Sequence, residues 1–426
     1  MTRQNVRSFL SNNQFKTELL AGLTTFSTMV YIIFINPQIL HQAGMDAGAV
    51  FTATCIVTAL ACAFTGFYAN TPFGVAPGMA LNIYFTYSVV QGLKVDWQHA
   101  LGMVFISGIM FIIVTLTPLR RLLTESIPHN LQIAILIGIS LLIALIALQT
   151  NSLIVIDQHT LHLGKMTESR NLLFLLGFTI ILVLDTYNVK GAILYGILSI
   201  TLLSLFLGHT QWHGIIGTPP SIEPSFLQLQ FSGLWSVVSV KAIFAFFLIT
   251  VFDATGTIIG LLNEPTLAKA PLRAQRFRRS LTTDAIAATC SGLLGTSSTS
   301  PYIESATGIE VGGKTGITAI VIAIGFLMML FFFPLAQTIP NFAIGPALLY
   351  VACSMMKQLK ALQLHDMTET APCMITIMLI PFTESIADGI GAGIILCSIL
   401  KIITHKKIEP LLFILSLIFV VFFLIS

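Results

Sequence analysis

Long apolar runs, broken only by short polar stretches, fill this chain and decide what it can become. A helix that crosses the hydrocarbon of a bilayer needs about 20 apolar residues. Runs of that kind start near residue 18 and recur to residue 425, with room for about fourteen crossings. Only 9% of the 426 residues are charged, where a soluble domain carries about 25%. So little charge cannot cover a water-facing surface, and the chain reads as an all-α polytopic membrane protein. Residues 1–17 are polar and lead straight into a full-length apolar run, unlike a cleavable signal peptide.

Composition narrows the chemistry further. The six cysteines (Cys55, Cys62, Cys290, Cys353, Cys373, Cys397) lie in or beside apolar runs without a CxxC pair, which reads as packing rather than a disulfide or metal framework. Histidines such as His41, His129, His209 and His365 fall in loops or at span ends, so haem ligation and a buried His relay lack support. The net charge of +3 does not point to nucleic acid, because the basic residues fall in loops. They also set an orientation. Arg3, Arg7, Lys16, Arg120, Arg121, Lys269, Arg273, Arg276, Arg278 and Arg279 share one side by span counting, taken as cytoplasmic together with the N-terminus. The 209–237 stretch, on the opposite side, has no Lys or Arg. Trp97, Trp212 and Trp235 also belong to outer loops, where interfacial aromatics sit. Lys401, Lys406 and Lys407 join the cytoplasmic side only if the run 372–404, which contains Pro381, Glu384 and Asp388, makes two passes.

A weak repeat divides the chain. Ser126-Ile-Pro128 and Thr338-Ile-Pro340 each open a span, and Gly191-Ala-Ile-Leu echoes Gly391-Ala-Gly-Ile at a similar offset. An odd number of passes per half makes the halves inverted, the usual plan of a secondary transporter. The predicted division is a polar segment 1–17, a first repeat 18–208, an outer loop 209–237 and a second repeat 238–426.

Binding sites in such folds form where discontinuous helices meet at the membrane midplane. The chain carries two interrupted segments at equivalent places: Thr71-Pro72 to Phe85, and Gly295 to Glu304. Pro77 and Pro301 remove backbone donors and disfavour helix in the residue before them. An extended entry and then a half-helix is expected in each, with free N–H groups aimed at a central ligand. Asn82, in the first, offers a donor and an acceptor that suit a heterocycle edge; alternatively it satisfies the broken backbone. Asp253, in Phe252-Asp-Ala-Thr255-Gly-Thr257, and Glu304 are carboxyls in an apolar setting, and so candidates for function by default. The plain alternative for Asp253 is a bond to nearby hydroxyls. Glu304 is the first candidate for proton coupling, with Asp253 beside it. Thr255, Tyr84 and Ser297, in the same stretches, complete the predicted substrate contacts. Asp185, Glu384 and Asp388 rank lower, and Asp284 is expected to pair with Arg278 or Arg279. No metal site and no cofactor beyond a proton gradient are expected. An intramembrane enzyme is disfavoured, since neither GxSxG nor HExxH occurs.

At these residues the chain resembles the AzgA-like purine permeases of the nucleobase–ascorbate transporter group. Gly22-Leu-Thr-Thr-Phe to Asn36-Pro37, Ala76-Pro-Gly-Met-Ala-Leu-Asn82, Phe252-Asp-Ala-Thr-Gly-Thr257, Tyr302-Ile-Glu-Ser-Ala-Thr-Gly308, Gly312-Gly-Lys-Thr-Gly316 and Ser385-Ile-Ala-Asp-Gly389 carry the likeness nearly end to end. It departs from the family pattern at Ala80, Ala254 and Pro301, which leaves the preferred base open. The resemblance implies two inverted seven-span repeats. It also implies a core part (18–117 and 238–335), a gate part (131–208 and 343–426), and paired extended pieces at spans 3 and 10. It implies proton-coupled uptake of adenine, guanine or hypoxanthine across the cytoplasmic or inner membrane, with Asn82, Asp253 and Glu304 as binding residues. Related folds form homodimers through the gate, and no motif here fixes that. The runner-up is a sulfate or bicarbonate-type anion carrier of the same architecture.

Overall fold

The computed structural model describes residues 12–117, 119, 126–157, 160–264, 267, 270–363 and 366–425. Arg3, Arg7, Arg120, Arg121, Lys269 and His365 lie outside the described residues. The elements follow in chain order. Helix α1 (Asn12–Met29) breaks at Val30-Tyr31 before α2 (Ile32–His41), which contains Pro37. Helix α3 (Ala47–Phe64) starts where the Asp46 carboxylate accepts from the Ala49 amide at 2.7 Å, and it ends in a π-helical turn, Thr65–Ala69. Strand β1 (Val75–Pro77) leads into the short α4 (Met79–Ile83), which widens to π-helix over Tyr84–Gly92. Then come α5 (Trp97–Leu116), α6 (His129–Thr150), the hairpin β2 (Ile154–Asp157) and β3 (Thr160–Leu163), α7 (Ser169–Thr186) and α8 (Ala192–Phe206).

The second half runs α9 (Val237–Leu262), α10 (Ala270–Leu294), β4 (Thr299–Pro301), α11 (Ser305–Val311), α12 (Gly316–Met329), α13 (Phe333–Thr338), α14 (Asn341–Met355), α15 (Met367–Thr383), α16 (Ile386–Ile403) and α17 (Pro410–Ile425). One point left open by the sequence is settled here, and one expectation changes. The run 372–404 is two helices, split where Glu384 takes a left-handed turn (φ 52) and Ser385 caps α16. The basic residues Arg273 to Arg279 form the opening turns of α10 rather than a loop.

Among the described residues, 9 helical segments are long and apolar enough to cross a membrane, and Ala192–Phe206, Met367–Thr383 and Pro410–Leu424 are shorter apolar helices. Many outward-facing residues are large and apolar, including Leu202, Phe206, Met328, Ile399 and Val421, as a lipid-facing surface requires. Helices α1, α3 and α5 pack with α10, α11 and α12 in one bundle, while α6, α7 and α8 pack with α14 and α15 in a second. The bundles touch through α4 with α6 and through α9 with α16.

Hydrogen bonds sort the loops to two ends. At one, Asn70 accepts from the Gly316 amide, Arg279 lies over the Tyr68 ring, and Lys190 pairs with Glu310. Lys406 pairs there with Asp366 and holds its carboxyl down to about 2, outside the spans. At the other end the 209–236 stretch lies across the first bundle: Thr52 donates to the Pro220 carbonyl, and the Leu227 amide donates to Leu293.

Glu18 ties the first end together. It is 1% exposed, and its carboxylate accepts from the Lys314 amide at 3.0 Å, the Thr315 amide at 3.3 Å and the Thr318 hydroxyl at 2.5 Å. Glu18→Ala strands these donors and should cost about 1–3 kcal/mol. Thermal unfolding in detergent reads this as a lower midpoint; an unchanged midpoint would show that water replaces the carboxylate.

Candidate functional site

The two interrupted segments meet. Strands β1 and β4 pair antiparallel, with Val75 opposite Pro301, Ala76 opposite Ser300 and Pro77 opposite Thr299. A proline closes each strand and leaves no backbone donor there, so the ladder stays short. The Gly78 amide donates to the Ser298 carbonyl at 3.0 Å, and the Tyr302 amide donates to Gly74 at 2.9 Å. The Tyr302 hydroxyl adds a bond to the Pro77 carbonyl at 2.7 Å. Six buried strand residues thus form a joint between the halves of the chain, with a half-helix leaving each side.

The predicted residues divide around this joint. Asn82 is fully buried in α4, and its side-chain carbonyl accepts from the Ser297 hydroxyl, so these two lock the segments to each other. The Asn82 amide faces Met79 Sδ at 3.9 Å, a weak partner that leaves its donors free to turn to a ligand. Asp253 and Glu304 are half-buried. Asp253, on α9, faces Ser300 of β4. Glu304 sits at the N-terminus of α11 and accepts from the Tyr31 hydroxyl at 2.7 Å. The two carboxyls feel each other's charge, and no ion pair among the described residues involves either.

Two predicted contacts stand elsewhere. Thr255 is buried on another face of α9 from Asp253, two positions along, and its hydroxyl has no partner. The Tyr84 hydroxyl points at the Ala242 carbonyl, 3.4 Å away, and its ring lies edge-on to Phe246 at 4.6 Å. Ala242 precedes Asp253 on α9 by roughly 16 Å of helix rise, so Tyr84 does not join the carboxyls. Asp284 overturns the expected surface pairing. It is 0% exposed, both its oxygens lack hydrogen-bond partners, and its neighbours are Thr299 and Asp253 rather than Arg278 or Arg279. Asp388, ranked low from sequence, pairs with Lys241 of α9 across the two bundles.

The face of α9 that carries Asp253 continues through Gly256, Thr257 and Gly260. A Cβ added at Gly256 would touch nothing within 4 Å. Between the carboxyl and Gly260 the strip carries no side chain larger than Thr257. A cavity of about 420 Å³, lined in part by His129, Asn130, Glu369 and Lys401, lies at the end of the second bundle near the Lys406–Asp366 pair and shares no residue with this site. Among the described residues no group of three His, Cys, Asp or Glu side chains could hold a metal ion.

Known proteins match this arrangement over its length. A family profile described as "Permease family" matches residues 16–408. The chain belongs to this permease family. The permease is 38% identical to the adenine permease AdeP of Escherichia coli, over 95% of this chain and 92% of that one. It is 36% identical to the guanine/hypoxanthine permease PbuO of Bacillus subtilis, over 95% of this chain and 96% of that one. Among solved structures, the transmembrane domain of a cyanobacterium bicarbonate transporter, BicA, superposes with a TM-score of 0.66 at 16% identity, covering 89% of this chain and 97% of that one. The permease therefore shares that fold and is a multi-pass membrane protein.

Sequence reasoning passed over three residues that find partners in the structure, two of them at the joint. Tyr31 is 1% exposed, at the break between α1 and α2, and reaches Glu304; a polar ring beside Asn36-Pro37 in an apolar run was the available signal. Tyr302 closes the β1–β4 joint. Lys241 stands alone as a cation in an apolar run, which is itself a sign of a buried partner.

Proposed function

We propose that this permease carries purine nucleobases across the cytoplasmic membrane, coupled to protons, by alternating access around the β1–β4 joint. The observation that carries it is the pair of half-buried carboxyls, Asp253 and Glu304, set at the joint without a cation. A purine presents ring N–H groups to an ionised Asp253, and its acceptor edge faces the Asn82 amide. Protonated Glu304 donates a further hydrogen bond; ionised, it returns to the Tyr31 hydroxyl. The names of the relatives, an adenine permease and a guanine/hypoxanthine permease, support the same substrate class. The reading is of a transporter rather than an enzyme, with a proton gradient as its energy source and its N-terminus in the cytoplasm. An anion-carrying reading meets two uncompensated acids in the site.

A proton entering across 100 mV releases about 2.3 kcal/mol, enough for about 50-fold accumulation of a neutral base. Cells making the permease should concentrate labelled adenine, hypoxanthine or guanine, and a protonophore should collapse the gradient of base. Accumulation that a protonophore leaves intact, or that appears only with sulfate or bicarbonate, would reject the reading.

A further inference from the structure

The transport cycle just described leaves one buried acid without a task. Asp284 of α10 is 0% exposed and neither carboxylate oxygen is hydrogen-bonded. Glu18, the other deeply buried acid among the described residues, has three donors. Helix α10 packs against α3, α5, α9, β4 and the 65–69 turn. Helix α3 and strand β4 bring no charged residue to it. Helix α5 has only His99, at its far end and bound to Ser232. Tyr68 of the turn is under Arg279, and Lys241 of α9 is engaged with Asp388. Asp253 is the group whose charge reaches Asp284. Between them runs β4: Ser300 faces Asp253, and the preceding Thr299 lies by Asp284 with its hydroxyl unpartnered.

An ionised carboxylate in that place has only the Thr299 hydroxyl as a donor at hand, no cation and a second acid near it, so burial makes its charge costly to hold. A neutral carboxyl fits. We propose that Asp284 is a second proton-binding group of the transport site, which takes a proton from Asp253 and returns it once in each cycle. One O–H bond breaks on an Asp253 oxygen and one forms on an Asp284 oxygen, and the negative charge moves the other way. Water entering the half-open Asp253 site carries the proton past β4 and is regenerated unchanged. Asp253 then becomes ionised to hold a base while the transported proton stays in the protein.

This rests on the proton-coupled reading above. The test uses the full-length permease in proteoliposomes with labelled adenine and an internal pH dye. Asp284→Asn, neutral and of the same shape, leaves half-buried Asp253 to give its proton to water instead, so exchange of labelled for unlabelled base should persist. It should lose proton entry, and its accumulation ratio should fall to one; Asp284→Glu, which restores a titratable group, should recover both. Full accumulation and proton entry in Asp284→Asn would overturn the assignment. So would loss of exchange in both variants, which would make the residue structural. So would wild-type uptake that requires sodium and loses that requirement in Asp284→Asn, which would make it a cation site. Wild-type accumulation untouched by a protonophore would instead sink the coupling reading itself.

Discussion

Asp253→Ala should abolish purine binding while leaving the permease folded. The Asp253 carboxyl is half-buried, faces Ser300 and has no ion pair among the described residues, so its removal strands no charge and opens no packed core. Loss of one uncompensated acid should leave the melting midpoint unchanged or slightly higher. Binding is a different matter. Hydrogen bonds to a charged acceptor contribute about 1.5–3 kcal/mol each, and a carboxylate can accept from two neighbouring purine N–H groups. A loss of about 2–4 kcal/mol corresponds to roughly 30- to 700-fold in affinity. Equilibrium binding of labelled adenine to purified protein, read beside thermal unfolding, separates the two effects. Binding within a few-fold of wild type would remove Asp253 from the site. A large drop in melting temperature would give it a structural role.

How this site could be read from sequence, and where that reading failed, follows from what local chemistry specifies. Pro77 and Pro301 announce backbone that cannot stay helical, and their similar positions in the two halves pick out the strands that pair. Asp253 and Glu304 announce themselves by their cost in an apolar chain. The failures concern faces and distant partners. Thr255 and Tyr84 are candidates only as sequence neighbours of Asp253 and Asn82. A residue two positions along a helix points well round from the first, and both side chains lie elsewhere. Gly256 and Thr257, at the third and fourth positions, share the face that matters. Asp284 looked like a partner for Arg278 and Arg279, but it lies more than a turn farther along α10 and turns inward to β4. The Tyr31–Glu304 bond joins residues 273 positions apart, which no local rule specifies. The fold class was legible because apolar length alone dictates it. The number of crossings was not, since the split of 372–404 depends on one left-handed residue, Glu384.

Gly256→Leu should fold and fail to transport. An added Cβ at Gly256 meets nothing within 4 Å, and at Gly260, one turn on, it meets only Ile303 Cδ1 at 3.7 Å. Between Asp253 and Gly260, helix α9 thus carries no side chain larger than Thr257 on this face. Two glycines within a helix cost about 1 kcal/mol each against alanine, so their presence needs another reason. Close packing is not that reason. At Gly316 the added Cβ would collide with the Gly66 carbonyl, and Gly316→Leu should prevent assembly. Gly256 faces open space at its Cβ position, so a leucine there relieves backbone cost without a clash at the backbone. Its melting midpoint should hold or rise. What the leucine does occupy is the strip leading to the carboxyl, and a planar base passing that strip must clear the new side chain. Uptake should fall at least about tenfold, which is what a steric cost of about 1.4 kcal/mol on the passage produces. Gly256→Ala, with one methyl, should retain most of it. If Gly256→Leu transports at the wild-type rate, the base reaches Asp253 from another side. The bare strip would then serve only to let α9 move against the second bundle.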